Sequence, residues 1–302
     1  MFSKSLLKSA IRWSKRSSTF GPRGAYSYKL TPTKSSAFPQ AETEYADLAG
    51  FVENFQRSSH NFLKSISGKR LLDFGSGYGG RTVRYAESAS EVFGIEIFPN
   101  VVEKSQQFAA SKGIENCYFS LGTQGQISFP NDFFDVVISN DVLEHVEHPD
   151  TVIHEFYRVL RPDGLAFIAF TPYWGMFAHH LNYITMLPAI HWLWSPKVAI
   201  EAVNDLLKSD PAYVDLISLQ PAPKPAFDGT KEVLPTLNGL TLPLFRRLYE
   251  ACGFRAEFFR STPILEKFPA LGKAGAILNE ALCRIPSLEE ALSANLVVIL
   301  RK

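Results

Sequence analysis

A glycine-rich turn between a strand-like run and a helix-like run is the feature that most constrains the fold of this chain. The apolar run Arg70–Phe74 predicts a strand, and the run from Arg81 to Ser88 predicts a helix. The turn that joins them contains Gly75, Ser76 and Gly77. Because glycine has no Cβ, such a turn lets a ligand approach the backbone N–H groups at a helix N-terminus. The order strand, turn, helix predicts a ligand-binding loop of an α/β fold.

Two acids stand at informative positions around this turn. Glu96 lies 21 residues after Gly75, at the end of a second predicted strand, where a carboxylate can accept hydrogen bonds from both hydroxyls of a ribose. Asp73 lies two residues before the first glycine. The glycine spacing also fits the dinucleotide fingerprint, but Asp73 would repel a pyrophosphate. It suits a ligand with a cationic amino or sulfonium group.

Predicted strands and helices alternate along most of the chain, which favours a doubly wound sheet. Helical periodicity also runs from about Ala41 to Ser65, before the first strand. The predicted strands are Arg70–Phe74, Glu91–Ile97, Cys117–Leu121, Phe134–Ser139, Leu165–Phe170, Arg255–Ser261 and Asn295–Arg301. The helices between them are predicted at Gly80–Ser88, Val101–Lys112, Thr151–Leu160 and Pro243–Cys252.

Two later runs, from Phe134 to Val146 and from Arg158 to Leu165, follow the glycine turn at characteristic distances. Together with that turn they resemble the class I S-adenosylmethionine-dependent methyltransferases. The resemblance extends from Leu71 to Phe170 and resumes at Leu240–Phe259 and in the last strand. It implies a Rossmann-like α/β fold, with a mostly parallel sheet of seven strands whose last strand is antiparallel. It also implies S-adenosyl-L-methionine as the cofactor.

The resemblance assigns expected roles to individual residues around the cofactor. Asp73 and the turn residues Gly75, Ser76 and Gly77 would surround its methionine moiety. Glu96 would bind the ribose, and Ile97 would pack on the adenine. Many relatives have an acid after strand 3, where this chain has Thr123 and Gln124, whose hydroxyl and amide can still bond the adenine amino group. Asn140, at the end of strand 4, would face the cofactor and the substrate.

The segment 172–239 interrupts the alternation and is rich in aromatic residues. It contains three of the four tryptophans and three of the seven histidines of the chain. Because it follows strand 5 at the ligand-binding edge of the sheet, we expect a substrate lid. His179, His180 and His191 are the candidate catalytic bases, needed only if the nucleophile is a hydroxyl or an acidic C–H. The alternative is that these aromatic residues form a second small core.

The basic N-terminal segment leaves several interpretations open. Residues 1–41 carry eight basic side chains and no acid, and Phe2, Leu6, Leu7, Ala10, Ile11 and Trp13 share one arc of a helical wheel. The segment could be a mitochondrial transit peptide, a helix on an anionic membrane surface, or a disordered tail. The expected location is therefore cytoplasmic, with membrane association, or mitochondrial in a eukaryote.

Composition narrows the expected partners. The rest of the chain has 23 basic and 30 acidic residues, which argues against a nucleic acid. Three scattered cysteines predict neither disulfides nor a zinc site, and His145 and His148 lack an evident third ligand for a metal. No apolar run is long enough to span a membrane.

The sequence therefore predicts four parts: an amphipathic segment and linker (1–40), a cofactor-binding core (41–171), a lid (172–239) and the C-terminal part of the sheet (240–302). The expected function is transfer of a methyl group, by in-line displacement, to a small acceptor that is apolar or aromatic. The alternatives are a nicotinamide-dependent dehydrogenase and a non-catalytic cofactor-binding relative. The acceptor, its nucleophilic atom and the oligomeric state are left open.

Overall fold

The computed structural model describes residues 2–16, 37–53, 55, 58–123, 125–181, 184–209, 223–234, 236–265 and 272–302. The chain forms two compact units, each assembled from separate segments. The core unit comprises Leu30–Phe170, Phe245–Arg260 and Val297–Lys302, and the insertion unit comprises Met1–Lys29, Thr171–Leu244 and Ser261–Leu296. This division differs from the expected one, because the N-terminal segment and residues 261–296 group with the insertion.

The central sheet has seven strands in the order β3-β2-β1-β4-β5-β9-β8. Its strands are β1 (Arg70–Phe74), β2 (Glu91–Glu96), β3 (Cys117–Leu121), β4 (Phe134–Asn140), β5 (Leu160–Phe170), β8 (Arg255–Pro263) and β9 (Ser293–Arg301). The first five pair in parallel, and the last strand is antiparallel. The expected fold class is therefore confirmed.

The middle strands of the sheet are buried because helices cover both of its faces. Most residues of β1 and β4 are buried, and so are the last seven residues of β5, as in other parallel sheets. On one face, Phe51, Phe55 and Phe62 pack against Phe167 of β5. This packing holds the carboxyl ends of β1, β2 and β4 in a fixed arrangement.

The helices of the core unit are α2 (Pro39–Ala46), α3 (Leu48–Glu53), α4 (Phe62–Ile66), α5 (Gly80–Ala86), α6 (Pro99–Ser111), α7 (Pro149–Val159) and most of α10 (Leu242–Ala251). The helical periodicity expected from about Ala41 to Ser65 corresponds to three short helices rather than to one continuous helix. The last of them begins at a cap, because the Asn61 side chain accepts the Lys64 N–H at 3.0 Å.

The insertion unit contains α1 (Lys4–Arg16), α8 (Ile190–Leu193), α9 (Pro196–Ser209), the two short strands β6 (Lys224–Pro225) and β7 (Glu232–Val233), α11 (Gly272–Leu282) and α12 (Pro286–Glu289). Helices α11 and α12 were not expected from the sequence. Among the helices of the described residues, none combines the length and the hydropathy that a membrane crossing requires.

The N-terminal helix α1 is an integral part of this unit rather than a tail. Leu7 and Ile11 are fully buried in one apolar core with residues of α9. The Ser14 hydroxyl lies 2.6 Å from that of Thr185, and Lys4 lies 3.3 Å from Glu201. The interpretation as a disordered tail was therefore wrong for residues 4–16. The expected linker falls mostly on residues 17–36, which lie outside the described residues.

Candidate functional site

The glycine turn forms a tight loop between β1 and α5. Gly75 and Gly77 adopt positive φ angles of 78° and 55°. The N–H groups of Gly75 and Ser76 both donate to the Ile95 carbonyl, at 2.9 and 3.0 Å. A Cβ on Gly75 would lie 2.2 Å from a methyl carbon of Val142, so no larger residue fits there. The loop is thus fixed by its backbone geometry and by its bonds to β2.

Glu96 reaches this loop from the end of β2. Parallel pairing of β1 with β2 places Phe74 opposite Ile95 and so brings the next residue beside the loop. One carboxylate oxygen of Glu96 accepts the Gly77 N–H at 3.1 Å, and the other accepts the Ile97 N–H at 2.6 Å. A carboxylate oxygen has two lone pairs, so each can accept a second bond from a ligand hydroxyl. Its role as the ribose ligand stays a prediction.

Asp73 is a buried acid at the carboxyl end of β1. Its side chain is 6% exposed and accepts the Thr82 hydroxyl at 2.6 Å. Burial raises the pKa of Asp73 to about 6, with the Glu96 charge adding to the shift while Thr82 and Arg81 oppose it. The carboxylate is thus largely ionised at neutral pH, but at an energetic cost that a nearby cation would relieve.

A third acid, Glu44 of α2, was missed from the sequence. Its two carboxylate oxygens accept the Tyr78 N–H at 3.2 Å and the Gly80 N–H at 3.0 Å. Burial raises the pKa of Glu44, and the charge of Arg81 opposes that shift. A signal was present, since Glu44 falls between Ala41 and Leu48 on the apolar face of the expected helix. An acid on such a face is unusual unless it has a partner.

Glu44 occupies the position that an anionic ligand would take. The N–H groups that it accepts lie at the start of α5, where a dinucleotide enzyme binds its pyrophosphate. Close packing of α2 on α5 leaves no room for a ligand there, because a Cβ on Gly80 would lie 2.0 Å from the Ala41 carbonyl oxygen. The N–H groups at the N-terminus of α5 are therefore hydrogen-bonded to a side chain of the protein itself.

Two buried hydroxyls near the loop have no partner among the described residues. They belong to Ser76 of the loop and to Ser139 of β4, which is paired with Phe74 of β1. Buried polar groups are normally hydrogen-bonded, so these two are available to a ligand. The hydroxyls and the surrounding carboxylates fit a ligand that combines hydroxyl or carboxylate groups with a positive charge, as S-adenosylmethionine does.

The other expected cofactor residues have fewer contacts that would indicate a ligand. Ile97 is 51% exposed and follows Glu96 directly. Thr123 is exposed and forms an isolated bridge with Gln126, whereas Gln124 lies outside the described residues. Asn140 ends β4, where its amide donates to the Asp141 carboxylate at 3.0 Å. These residues stay predictions as cofactor ligands.

The three candidate bases lie in the insertion unit. His179 is fully buried and both of its ring nitrogens are bonded, since Nδ1 accepts the Leu181 N–H at 3.0 Å and Nε2 lies 2.9 Å from the Leu187 carbonyl. Burial lowers the pKa of His179 to about 3, with His191 adding to the shift. This environment favours a structural role for His179 over that of a base. The expectation of catalysis by it is thus poorly supported.

His191 and His180 differ from His179. The ring nitrogens of His191 have no hydrogen-bond partner among the described residues, and its ring stacks against Trp174 with centroids 6.0 Å apart. Burial lowers the pKa of His191 to about 4, and the nearby backbone of Tyr173, which does not meet the geometry of a hydrogen bond, opposes this shift. His180 is half-buried and has a positive φ of 54°. His191 is the candidate whose nitrogens can still meet a ligand.

Comparison with known proteins identifies a methyltransferase domain in this part of the chain. Residues 72–168, which include Asp73, the glycine loop, Glu96 and Asn140, match the model of a methyltransferase domain family. Residues 72–168 therefore form a methyltransferase domain similar to that of the class I S-adenosylmethionine-dependent methyltransferases. That family uses S-adenosylmethionine as its methyl donor, and the carboxylates and open hydroxyls around the loop are suited to it.

Individual methyltransferases are similar to this chain over only part of their length. An uncharacterized methyltransferase of Mycobacterium avium is 30% identical over 154 residues, which cover 51% of this chain and 57% of that protein. The uncharacterized methyltransferase YcgJ of Bacillus subtilis is 30% identical over 37% of this chain and 47% of its own length. An arsenite methyltransferase of Halobacterium salinarum is 32% identical over 34% of this chain and 27% of its own. The chain spans about half the length, or less, of these relatives.

Solved structures show the same fold at low sequence identity. A putative S-adenosylmethionine-dependent methyltransferase of Listeria monocytogenes has a TM-score of 0.50 and 14% identity, covering 84% of this chain and 98% of that one. The [4+2]-cyclase SpnF has a TM-score of 0.50 and 17% identity, covering 88% of this chain and 83% of its own. Since a cyclase shares the fold with methyltransferases, the fold alone does not decide the reaction.

Proposed function

We propose that this protein transfers the methyl group of S-adenosylmethionine, by in-line displacement, to a small acceptor that is apolar or aromatic. When bound, the cofactor supplies an electrophilic methyl group. The residues proposed to hold it are Asp73, the glycine loop and Glu96. The observation that carries this proposal is the occupation of the α5 N-terminus by Glu44, beside two further carboxylates.

The charge of the loop separates this proposal from the dehydrogenase alternative. Three acids, Glu44, Asp73 and Glu96, surround the loop, and Arg81 is the cation that offsets part of their charge. A pyrophosphate would add two negative charges where Glu44 already accepts the helix N–H groups. A cofactor with an ammonium and a sulfonium group would instead lower the repulsion among the acids. We therefore do not favour a nicotinamide cofactor.

The acceptor class is proposed from the insertion unit. Its longest segment begins at Thr171, which directly follows the carboxyl end of β5, the edge at which ligands bind in such sheets. Large aromatic side chains of this unit remain accessible, with Trp174 40% and Trp192 38% exposed. Aromatic surface of this kind favours apolar or aromatic ligands. This supports the proposal that the unit acts as a lid over the acceptor, with His191 as the base if one is needed.

The relatives do not supply the acceptor. The name of the Halobacterium protein refers to arsenite, yet its aligned part covers only about a quarter of its length. The family match covers residues 72–168, whereas residues 172–239 of the insertion lie outside it. The acceptor must therefore be identified by experiment.

Titration calorimetry with S-adenosylmethionine, S-adenosylhomocysteine and NAD tests the cofactor first. We expect binding of the first two and none of NAD, and the reverse pattern would refute the proposal. Incubation with cofactor labelled in its methyl group and fractionated small-molecule extracts then tests the reaction. We expect label in a small apolar product. Tight cofactor binding with no labelled product from any extract would instead favour the non-catalytic alternative.

A further inference from the structure

We propose that the outward face of helix α1 binds the surface of an anionic lipid bilayer. The helix presents three different faces. One face, formed by Leu7, Ile11 and Ser14, is buried in the insertion unit. A second face carries Lys4 and Lys8, which pair with acids of α9. The third face is apolar and exposed, and it is the one that the proposal concerns.

This exposed face is a stripe of three large apolar side chains. Phe2 is 51% exposed, Leu6 49% and Trp13 58%. At about 100° per residue, Leu6 and Trp13 fall within roughly 20° of one another on the helix, and Phe2 lies just before its first residue. The stripe does not contribute to the unit's own core, which Leu7 and Ile11 enter from another side of the helix.

The apolar stripe continues beyond the helix. The Phe2 N–H donates to the Leu193 carbonyl at 3.4 Å, and the Phe2 ring lies 5.7 Å from that of Trp194. Leu193 itself is 40% exposed. The apolar surface therefore extends from α1 onto the end of α8. Monomeric proteins seldom expose contiguous apolar surface of this kind without a partner.

The charge of the helix identifies the partner as an anionic surface. Helix α1 contains five cationic residues and no acid, at Lys4, Lys8, Arg12, Lys15 and Arg16. The acids Glu201 and Asp205 pair with Lys4 and Lys8, whereas Arg12 is exposed on the same helix. A basic helix with tryptophan and phenylalanine on an exposed stripe has the chemistry that lies in the headgroup region of anionic bilayers.

The way that α1 is held makes binding more favourable than for an isolated peptide. An unfolded basic segment must order its backbone when it meets a membrane, which weakens binding. Here the contacts of Leu7 and Ile11, and the Ser14–Thr185 hydrogen bond, already hold the helix folded. The same contacts argue against a transit peptide, because cleavage after the helix would remove part of the core of the insertion unit.

Flotation with lipid vesicles tests the proposal. The full chain is mixed with vesicles of phosphatidylcholine alone or with a third of phosphatidylglycerol, at low and high salt. We expect flotation only with the anionic vesicles, weakened by salt. The double variant Leu6→Ser/Trp13→Ser should lower the partition coefficient by about tenfold or more, because it removes most of the apolar area that enters the lipid. Arg12→Glu should lower it by a smaller factor.

The matched control is Ile277→Ser in α11, which removes a side chain that is 72% exposed in the same unit. It should bind vesicles like the parent protein, and all variants should keep the parent melting temperature. Three results would overturn the proposal: no flotation of the parent protein, equal flotation of the double variant, or equal losses for the control. Conversion of a parent dimer to a monomer by the double variant, seen by light scattering, would assign the stripe to a second copy instead.

Discussion

Replacement of Asp73 by asparagine should stabilise the protein while weakening its cofactor binding. The pKa of Asp73 is raised by burial from an ordinary value of 3.8 to about 6. A raised pKa means that the ionised carboxylate is less favourable in the folded state than in the unfolded one. The neutral carboxyl group therefore stabilises the folded state fully below about pH 4, and this stabilisation is lost as the pH rises through 6.

The magnitude follows from the size of the shift. About two pKa units correspond to about 3 kcal/mol at pH 8, where the carboxylate is fully ionised in both states. Asparagine has nearly the same shape, and its carbonyl can still accept the Thr82 hydroxyl. Its amide group must find a partner, however, so we expect a net gain of about 1–3 kcal/mol in the free energy of unfolding at pH 8. The gain should shrink toward zero near pH 4.

Cofactor binding should change in the opposite direction. Loss of a charge that interacts with a cationic cofactor should weaken S-adenosylmethionine binding by about tenfold to a hundredfold. For the parent protein, affinity should fall as the pH drops below 6, and Asp73→Asn should remove much of this dependence. Urea denaturation and calorimetry from pH 5 to 8 measure both effects, with Asp150→Asn at an exposed position as the control.

Asp73→Asn is thus expected to raise stability and to lower cofactor affinity. A role limited to structure would give lower stability together with unchanged affinity of the folded protein. If Asp73→Asn lowers the free energy of unfolding at pH 8 and leaves S-adenosylmethionine binding unaltered, then Asp73 is neither strained by its burial nor a neighbour of the cofactor.

Further substitutions test the rest of the site. Glu96→Ala should weaken cofactor binding by about 2–3 kcal/mol without unfolding the protein, and unchanged affinity by calorimetry would remove it from the ribose site. Glu44→Gln should lower the free energy of unfolding by about 1–3 kcal/mol in urea denaturation, because the new amide group would point a donor at a backbone N–H. The control is Glu42→Gln on the same helix, which breaks only a surface ion pair and should cost less than about 1 kcal/mol. His179→Ala should lower the melting temperature markedly, because it leaves buried backbone groups unpaired. Trp174→Ala should lower turnover and leave the melting temperature nearly unchanged. Equal melting temperatures for the two variants would contradict the structural role of His179.

The loop residues could be predicted from the sequence because their geometry is local. Gly75 and Gly77 have positive φ angles, which the turn itself requires, and Glu96 follows from the pairing of two successive strands. The parallel sheet was predictable in the same way, since buried strands and their helices alternate along the chain.

What could not be predicted depends on residues that are far apart in the chain. Glu44 bonds N–H groups 34 and 36 residues away, and α1 packs on a helix that begins about 180 residues after it ends. The environment of His179 depends on the turn that brings Leu187 back to its ring. Periodicity identified an apolar face in each case, but it does not specify which distant surface that face will meet.

The position of β9 has a consequence for how the protein is made. This strand, Ser293–Arg301, lies between β5 and β8, inside the sheet. During synthesis one edge of β5 therefore stays unpaired until residues 293–301 have left the ribosome, more than 120 residues after β5 itself, and unpaired edges promote aggregation. A stop codon shortly before Ser293 would remove an interior strand, and such a product should depend on chaperones or be degraded.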